Sequence, residues 1–120
     1  MRPATILVIE DELPVRTLLA HVLHDAGYQV CEAANGREGL DQFRVQRVDL
    51  VITDLEMPEM NGLDLLLELT RTFLDVKTIA MSGRSPEDLQ KAKLVGARQT
   101  FSKPLDLRAL LYAVQYELQH

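Results

Sequence analysis

The chain has 120 residues, enough for one domain built on one core, and its 47% hydrophobic and 26% charged residues are an ordinary globular balance. A net charge of −5 argues against a binder of nucleic-acid phosphates, whose affinity comes from clustered Lys and Arg, and no stretch approaches the roughly 18 apolar residues of a membrane span. The single cysteine, Cys31, excludes an internal disulfide and, lying in a strand-like run, is expected to be a buried, inert thiol.

Residues 5–9 form an apolar run of the kind that becomes a strand buried on both faces of a parallel sheet. The run is too short for a signal peptide and meets Glu10-Asp11-Glu12 at once, so a cytoplasmic location is expected. Pro14 suits the first turn of a helix. Val15, Leu18, Leu19, Val22, Leu23 and Ala26 then recur at helical spacing, and Gly27 is a natural stop. A less apolar strand follows over 28–33. Asn35-Gly36 supply a turn and cap, and a helix over 37–45 has only Leu40 and Phe43 as apolar anchors.

The apolar run 49–54 is a third strand, rich in β-branched residues, and it ends on Asp54. A loop containing Met57-Pro58 and closed by Asn61-Gly62 leads to a leucine-rich helix over 63–73. Residues 76–81 make a fourth strand running into Ser82-Gly83. Ser85 as N-cap, Pro86, and the acids Glu87 and Asp88 open a fourth helix that lasts to about residue 95. A fifth strand over 98–102 ends at Lys103-Pro104. Asp106 caps a last helix whose Leu107, Leu110, Leu111, Val114 and Leu118 face the core.

Strands alternating with helices predict an α/β fold: a five-stranded parallel sheet with helices on both faces, a three-layer (βα)5 sandwich. Right-handed crossovers favour the flavodoxin-like strand order 2-1-3-4-5 at this size. In that order the carboxyl ends of the strands share one rim, carrying Glu10, Asp11, Asp54, Ser82 and Lys103. Each alone is unremarked as a solvated acid, a turn cap, a loop serine or an exposed lysine. Together they carry chemistry. Three crowded carboxylates repel by about 4 kcal/mol per close pair at an effective dielectric near 20. Lys103 offsets one of them, and a divalent cation with oxygen ligands, Mg²⁺, is the natural partner for the rest. A carboxylate beside Mg²⁺ and a lysine is a nucleophile for a phosphoryl group, whose oxygens Ser82 can hydrogen-bond.

Glu10-Asp11, Asp54 with Met57-Pro58 and Asn61-Gly62, Ser82-Gly83, Gly96-Ala97 and Lys103-Pro104 together resemble the receiver domain of two-component response regulators, along essentially the whole chain. The resemblance implies that Asp54 takes a phosphoryl group from the phosphohistidine of a histidine kinase or phosphotransfer protein. It implies Mg²⁺ on the side chains of Asp11 and Asp54 and on the backbone carbonyl of Glu56, with Glu10 acting partly through water. Lys103 would pair with the phosphoryl group and Ser82 would move toward it. Phe101 matches the family's switch aromatic, often Tyr, and lacks the hydroxyl. The Lys103-Pro104 bond is expected to be cis. Glu56 and Arg84 border the site and could pair with each other or steer the attacking water. By this reading the chain is a signalling phosphoacceptor that catalyses its own phosphorylation and dephosphorylation, with no nucleic acid or membrane as direct partner.

Two rivals stand beside this reading. A haloacid-dehalogenase-type phosphatase also uses an Asp nucleophile, Mg²⁺, Ser/Thr and Lys, and Asp54-Leu55-Glu56 echoes its acid-x-acid motif. That motif belongs after the first strand of a larger domain. An unphosphorylated docking module is the second, and the complete acid set with Lys103 argues against it. The chain is expected to be one receiver domain over 1–120, standing alone or cut from a longer regulator or hybrid kinase. On the last helix Ala109, Tyr112, Ala113 and Tyr116 cluster opposite the leucine stripe. Tyr112 and Tyr116, with the fourth helix and fifth strand, are expected to form the face where a downstream protein, an output domain or a second copy docks.

Overall fold

The structure is a computed structural model that describes residues 2–58, 60–73, 75–84 and 86–120. Five strands alternate with five helices: β1 (Thr5–Ile9), α1 (Leu13–Asp25), β2 (Gln29–Ala33), α2 (Gly36–Val45), β3 (Leu50–Asp54), α3 (Gly62–Thr72), β4 (Thr78–Ser82), α4 (Pro86–Leu94), β5 (Gln99–Ser102) and α5 (Leu107–Gln119). The strands form one parallel sheet in the order β2-β1-β3-β4-β5, as the sequence predicts. Every residue of β1, β3 and β4 is buried, because helices cover both faces.

Alternation along the strands divides the core. Ile6, Val8, Leu50, Ile52, Ile79 and Met81 point to one face, where Leu19 and Leu23 of α1 and Leu110, Ala113 and Val114 of α5 meet them. Leu7, Ile9 and Val51 point to the other, against Leu40 of α2 and Leu65 and Leu69 of α3. Leu66, Ala80, Ala92 and Ala97 close that face beneath α4.

Side chains set the helix starts. Asn35, Asn61 and Asp106 are N-caps whose carbonyl or carboxylate oxygens accept from the amides of Glu38, Asp64 and Ala109 at 2.9, 2.9 and 3.1 Å. The cap expected at Ser85 lies outside the described residues.

The structure shifts several expectations. β4 starts at Thr78, so Val76 and Lys77 precede it, and it includes Ser82, paired with Ser102 of β5. Leu18 is 49% exposed and Ala26 is exposed, because α1 buries a narrow stripe centred on Leu19 and Leu23. Ala113 is buried, not on the outer face of α5: its short side chain sits within the core beside Val114. Cys31 is half-buried, and burial pushes its thiol up, against a smaller pull from Gln46. No helix among the described residues is long and apolar enough to cross a membrane.

Candidate functional site

The backbone ladder runs one residue past the strands and fixes the rim. The Glu10 amide donates to the Ala33 carbonyl at 3.0 Å, Leu55 to Met81 at 2.9 Å and Lys103 to Ser82 at 2.9 Å. The loop after β3 folds back, the Gly62 amide reaching the Leu55 carbonyl at 3.1 Å. Glu10, Asp54, Ser82 and Lys103 are thereby brought to the same rim by parts of the chain far apart in sequence.

One carboxylate oxygen from each of Glu10, Asp11 and Asp54 lies within 4.8 Å of the other two. Glu10 and Asp54 are buried, and Asp11 is exposed at the mouth. Lys103 Nζ donates to Glu10 Oε1 at 2.7 Å and stands 3.4 Å from Asp54 Oδ2 and 3.9 Å from Glu12 Oε1. The second Glu10 oxygen accepts from the Glu12 amide at 3.2 Å. Asp54 Oδ1 is buried with no donor among the described residues. The Lys103-Pro104 bond is cis.

The charges perturb one another in a consistent direction. Burial pushes Glu10 up to about 7, with the Lys103 bond pulling it back and the Asp54 charge adding to the rise. Burial also raises Asp54, with Lys103 opposing and Glu56 reinforcing. Burial alone would lower the Lys103 ammonium, yet the Glu10 hydrogen bond and the Asp54 charge hold it above its ordinary value. The cluster therefore carries more negative charge than one lysine satisfies. An orphaned buried oxygen among three converging carboxylates fits a hard, oxygen-seeking cation.

Beside this cluster a cleft of about 490 Å³ is lined by Asp11, Glu56, Pro58, Asn61, Arg84 and Asp88, among others. Glu56 Oε1 accepts from the Gly83 amide at 2.7 Å, and Ser82 Oγ accepts from the Arg84 amide at 3.2 Å. Glu56 and Arg84 form no ion pair with each other among the described residues. Phe101 sits in the middle of β5, opposite Met81, half-buried against the α1–α5 side of the core. Tyr112 and Tyr116 are far more open, 72% and 45% exposed, and the Tyr116 ring stacks on His120 at 4.0 Å.

Sequence reasoning missed Arg16. Its guanidinium donates to the Glu10 backbone carbonyl at 2.7 Å and reaches Glu32 at 3.4 Å, bracing the strand end that carries the acids. An arginine one helical turn beyond an acid run was the available signal. It missed Glu12 as well, which contributes a third carboxylate near Lys103.

Comparison with known proteins agrees with the geometry. A family model described as the response regulator receiver domain matches residues 6–115. The sporulation initiation phosphotransferase F of Bacillus subtilis is 34% identical over 111 residues, spanning 92% of this chain and 90% of that protein. The sensor kinase CckA of Brucella abortus is 38% identical over 119 residues, and there this chain corresponds to only 13% of the relative's length. A crystal structure of the response regulator protein TrrA from Thermotoga maritima, in complex with Mg(2+)-BeF, superposes with a TM-score of 0.86 at 33% identity, covering 95% of this chain and 98% of that one. The chain belongs to the response regulator receiver domain family, the phosphoacceptor modules of two-component signalling.

Proposed function

We propose that Asp54 is the residue that accepts the phosphoryl group. The observation that carries this is its buried carboxylate: Oδ2 faces Lys103 at 3.4 Å while Oδ1 has no donor among the described residues, at the end of the central strand beside Glu10 and Asp11. A carboxylate oxygen of Asp54 attacks phosphorus, the P–N bond of a phosphohistidine breaks, and its electron pair returns to the imidazole. The donor belongs to a histidine kinase or a phosphotransfer protein. Lys103 stabilises the charge on the transferring oxygens, and Ser82 donates a hydrogen bond to one of them.

Asp11 and Asp54 would hold Mg²⁺ by their side chains and Glu56 by its backbone carbonyl, with Glu10 acting partly through water. The ion, when bound, neutralises the oxygens of the transferring group. The Mg(2+)-BeF complex of the relative at 33% identity supports this assignment. The chain thus promotes its own labelling and its own hydrolytic loss of the label, and does not turn over a separate substrate. The expected setting is the cytoplasm.

Phosphorylation is expected to move Ser82 and Phe101 together, Ser82 toward the phosphoryl group and Phe101 into the space it leaves. Tyr112 and Tyr116, with α4 and β5, would form the face that a downstream protein, an output domain or a second copy reads. The test of the acceptor is direct. Acetyl phosphate with Mg²⁺ should add one phosphoryl group to the wild type and none to Asp54→Ala, and labelling of the variant to the wild-type level would refute the assignment.

A further inference from the structure

Glu56 lies two residues past Asp54, and its carboxylate crosses the cleft to the loop after β4. Oε1 holds the Gly83 amide at 2.7 Å, a charge-assisted bond. Oε2 is buried and has no donor among the described residues. The next amide, that of Arg84, is held by Ser82 Oγ at 3.2 Å. Both amides following β4 are therefore committed, one of them to an anion that comes from the opposite loop.

Asp54 lies opposite Met81 in the sheet register, so Ser82 and Gly83 are the first groups beyond it on the neighbouring strand. A phosphoryl group on Asp54 would bring about two negative charges and strong acceptor oxygens to that edge. The Gly83 amide is a donor suited to such an oxygen, and Glu56 already occupies it. We infer that the Glu56 carboxylate is a built-in competing anion, which latches the loop after β4 in the resting state and releases Gly83 when a phosphoryl group on Asp54 claims it. The inference rests on Asp54 being the acceptor.

Three features make the latch releasable. One N–H cannot serve two anions well, and like charges at close range repel. The buried Oε2, without a donor among the described residues, destabilises the latched arrangement, so a modest difference in affinity shifts the population. The exposed Arg84 guanidinium shares the cleft and offers the released carboxylate a cation.

Fluoroberyllate, a tetrahedral phosphoryl mimic, is the probe, used at saturating Mg²⁺ with wild type, Glu56→Gln and Glu56→Ala. Gln keeps an acceptor oxygen and loses the charge; Ala loses both. In the unliganded protein, hydrogen exchange of the Gly83 amide should accelerate roughly tenfold in Glu56→Ala and less in Glu56→Gln. Fluoroberyllate should bind several-fold more tightly in the order Ala, Gln, wild type. A merely structural role for Glu56 would weaken the probe. Unchanged Gly83 exchange in Glu56→Ala overturns the latch, and equal or weaker fluoroberyllate binding overturns the competition. Asp54→Asn separates the two readings: wild-type fluoroberyllate binding in that variant would refute Asp54 as acceptor, while Gly83 exchange in the Glu56 variants reads the latch independently.

Discussion

Glu10 and Lys103, 93 residues apart in the chain, meet at 2.7 Å, closer than Lys103 stands to Asp54 at 3.4 Å. The lysine that the sequence assigns to the phosphoryl group therefore answers first to a fully buried glutamate. Removing it leaves the oxygens of Asp11 and Asp54 in place but strands two buried acids without a cation. Lys103→Ala should retain Mg²⁺ binding within a few-fold by calorimetry, while labelling by acetyl phosphate slows by about a hundredfold. Loss of the metal would show that this division of roles is wrong.

The same pair predicts a pH dependence for the Mg²⁺-free protein. Glu10 is raised from 4.5 to about 7 in the fold, so the folded state keeps its proton where the unfolded chain has lost it. The stabilising effect of that proton is complete below pH 4.5 and is lost as pH rises through about 7. Urea midpoints measured in chelator should fall across this window, and Glu10→Gln should flatten the fall. Mg²⁺ should offset it by binding the ionised cluster. A wild-type midpoint that climbs from pH 5 to pH 7 in chelator would contradict the assignment.

Gly62 couples the fold to the site. A Cβ there would overlap the Asp54 carbonyl oxygen and the Leu55 Cα, both backbone atoms that cannot swing aside. Gly62→Ala should cost about 2 kcal/mol or more and displace the end of β3, depressing labelling of Asp54. Gly27 is the comparison. It has φ +99° with open space around it, so Gly27→Ala should cost only about 1 kcal/mol of backbone strain and leave labelling unaltered. Equal effects of the two substitutions on labelling would remove Gly62 from the site's support.

The strands and their polar ends were legible in the sequence because a buried parallel strand is a continuous apolar run, and the residue that ends it stands out. Asp54 and Lys103 stand out in this way. Contacts between distant segments left no such mark. Arg16 gains meaning only when α1 brings it to the Glu10 carbonyl. Glu117 is 5% exposed, which its charge alone would not suggest; Gln99 donates to it at 2.8 Å and Arg98 pairs with it at 3.4 Å, tying α5 to the start of β5. Periodicity also sets a helix face only to within about one residue, which is why Leu18 and Ala113 fell on the wrong sides.

The outer face of α5 gives the last prediction. With Ala113 turned into the core, what remains there is Ala109, Tyr112 and Tyr116, and the tyrosines keep much of their surface in water. Tyr116 has a partner in His120, a stack at 4.0 Å with the rings 11° apart, so part of its area is already covered. Tyr112, at 72% exposed, is the freer contact. On α4, Leu94 is 87% exposed. An exposed aromatic with a polar tip and an exposed leucine are each suited to a partner's apolar surface. Tyr112→Glu with Tyr116→Glu should leave the fold and the labelling of Asp54 intact, because neither side chain reaches the carboxylate cluster. Dimerisation or partner binding should fall when measured on the phosphorylated protein by sedimentation. Tyr112→Glu alone should account for most of the loss, since Tyr116 is partly spent on His120. Association unchanged in the double variant would place the docking face elsewhere on the molecule.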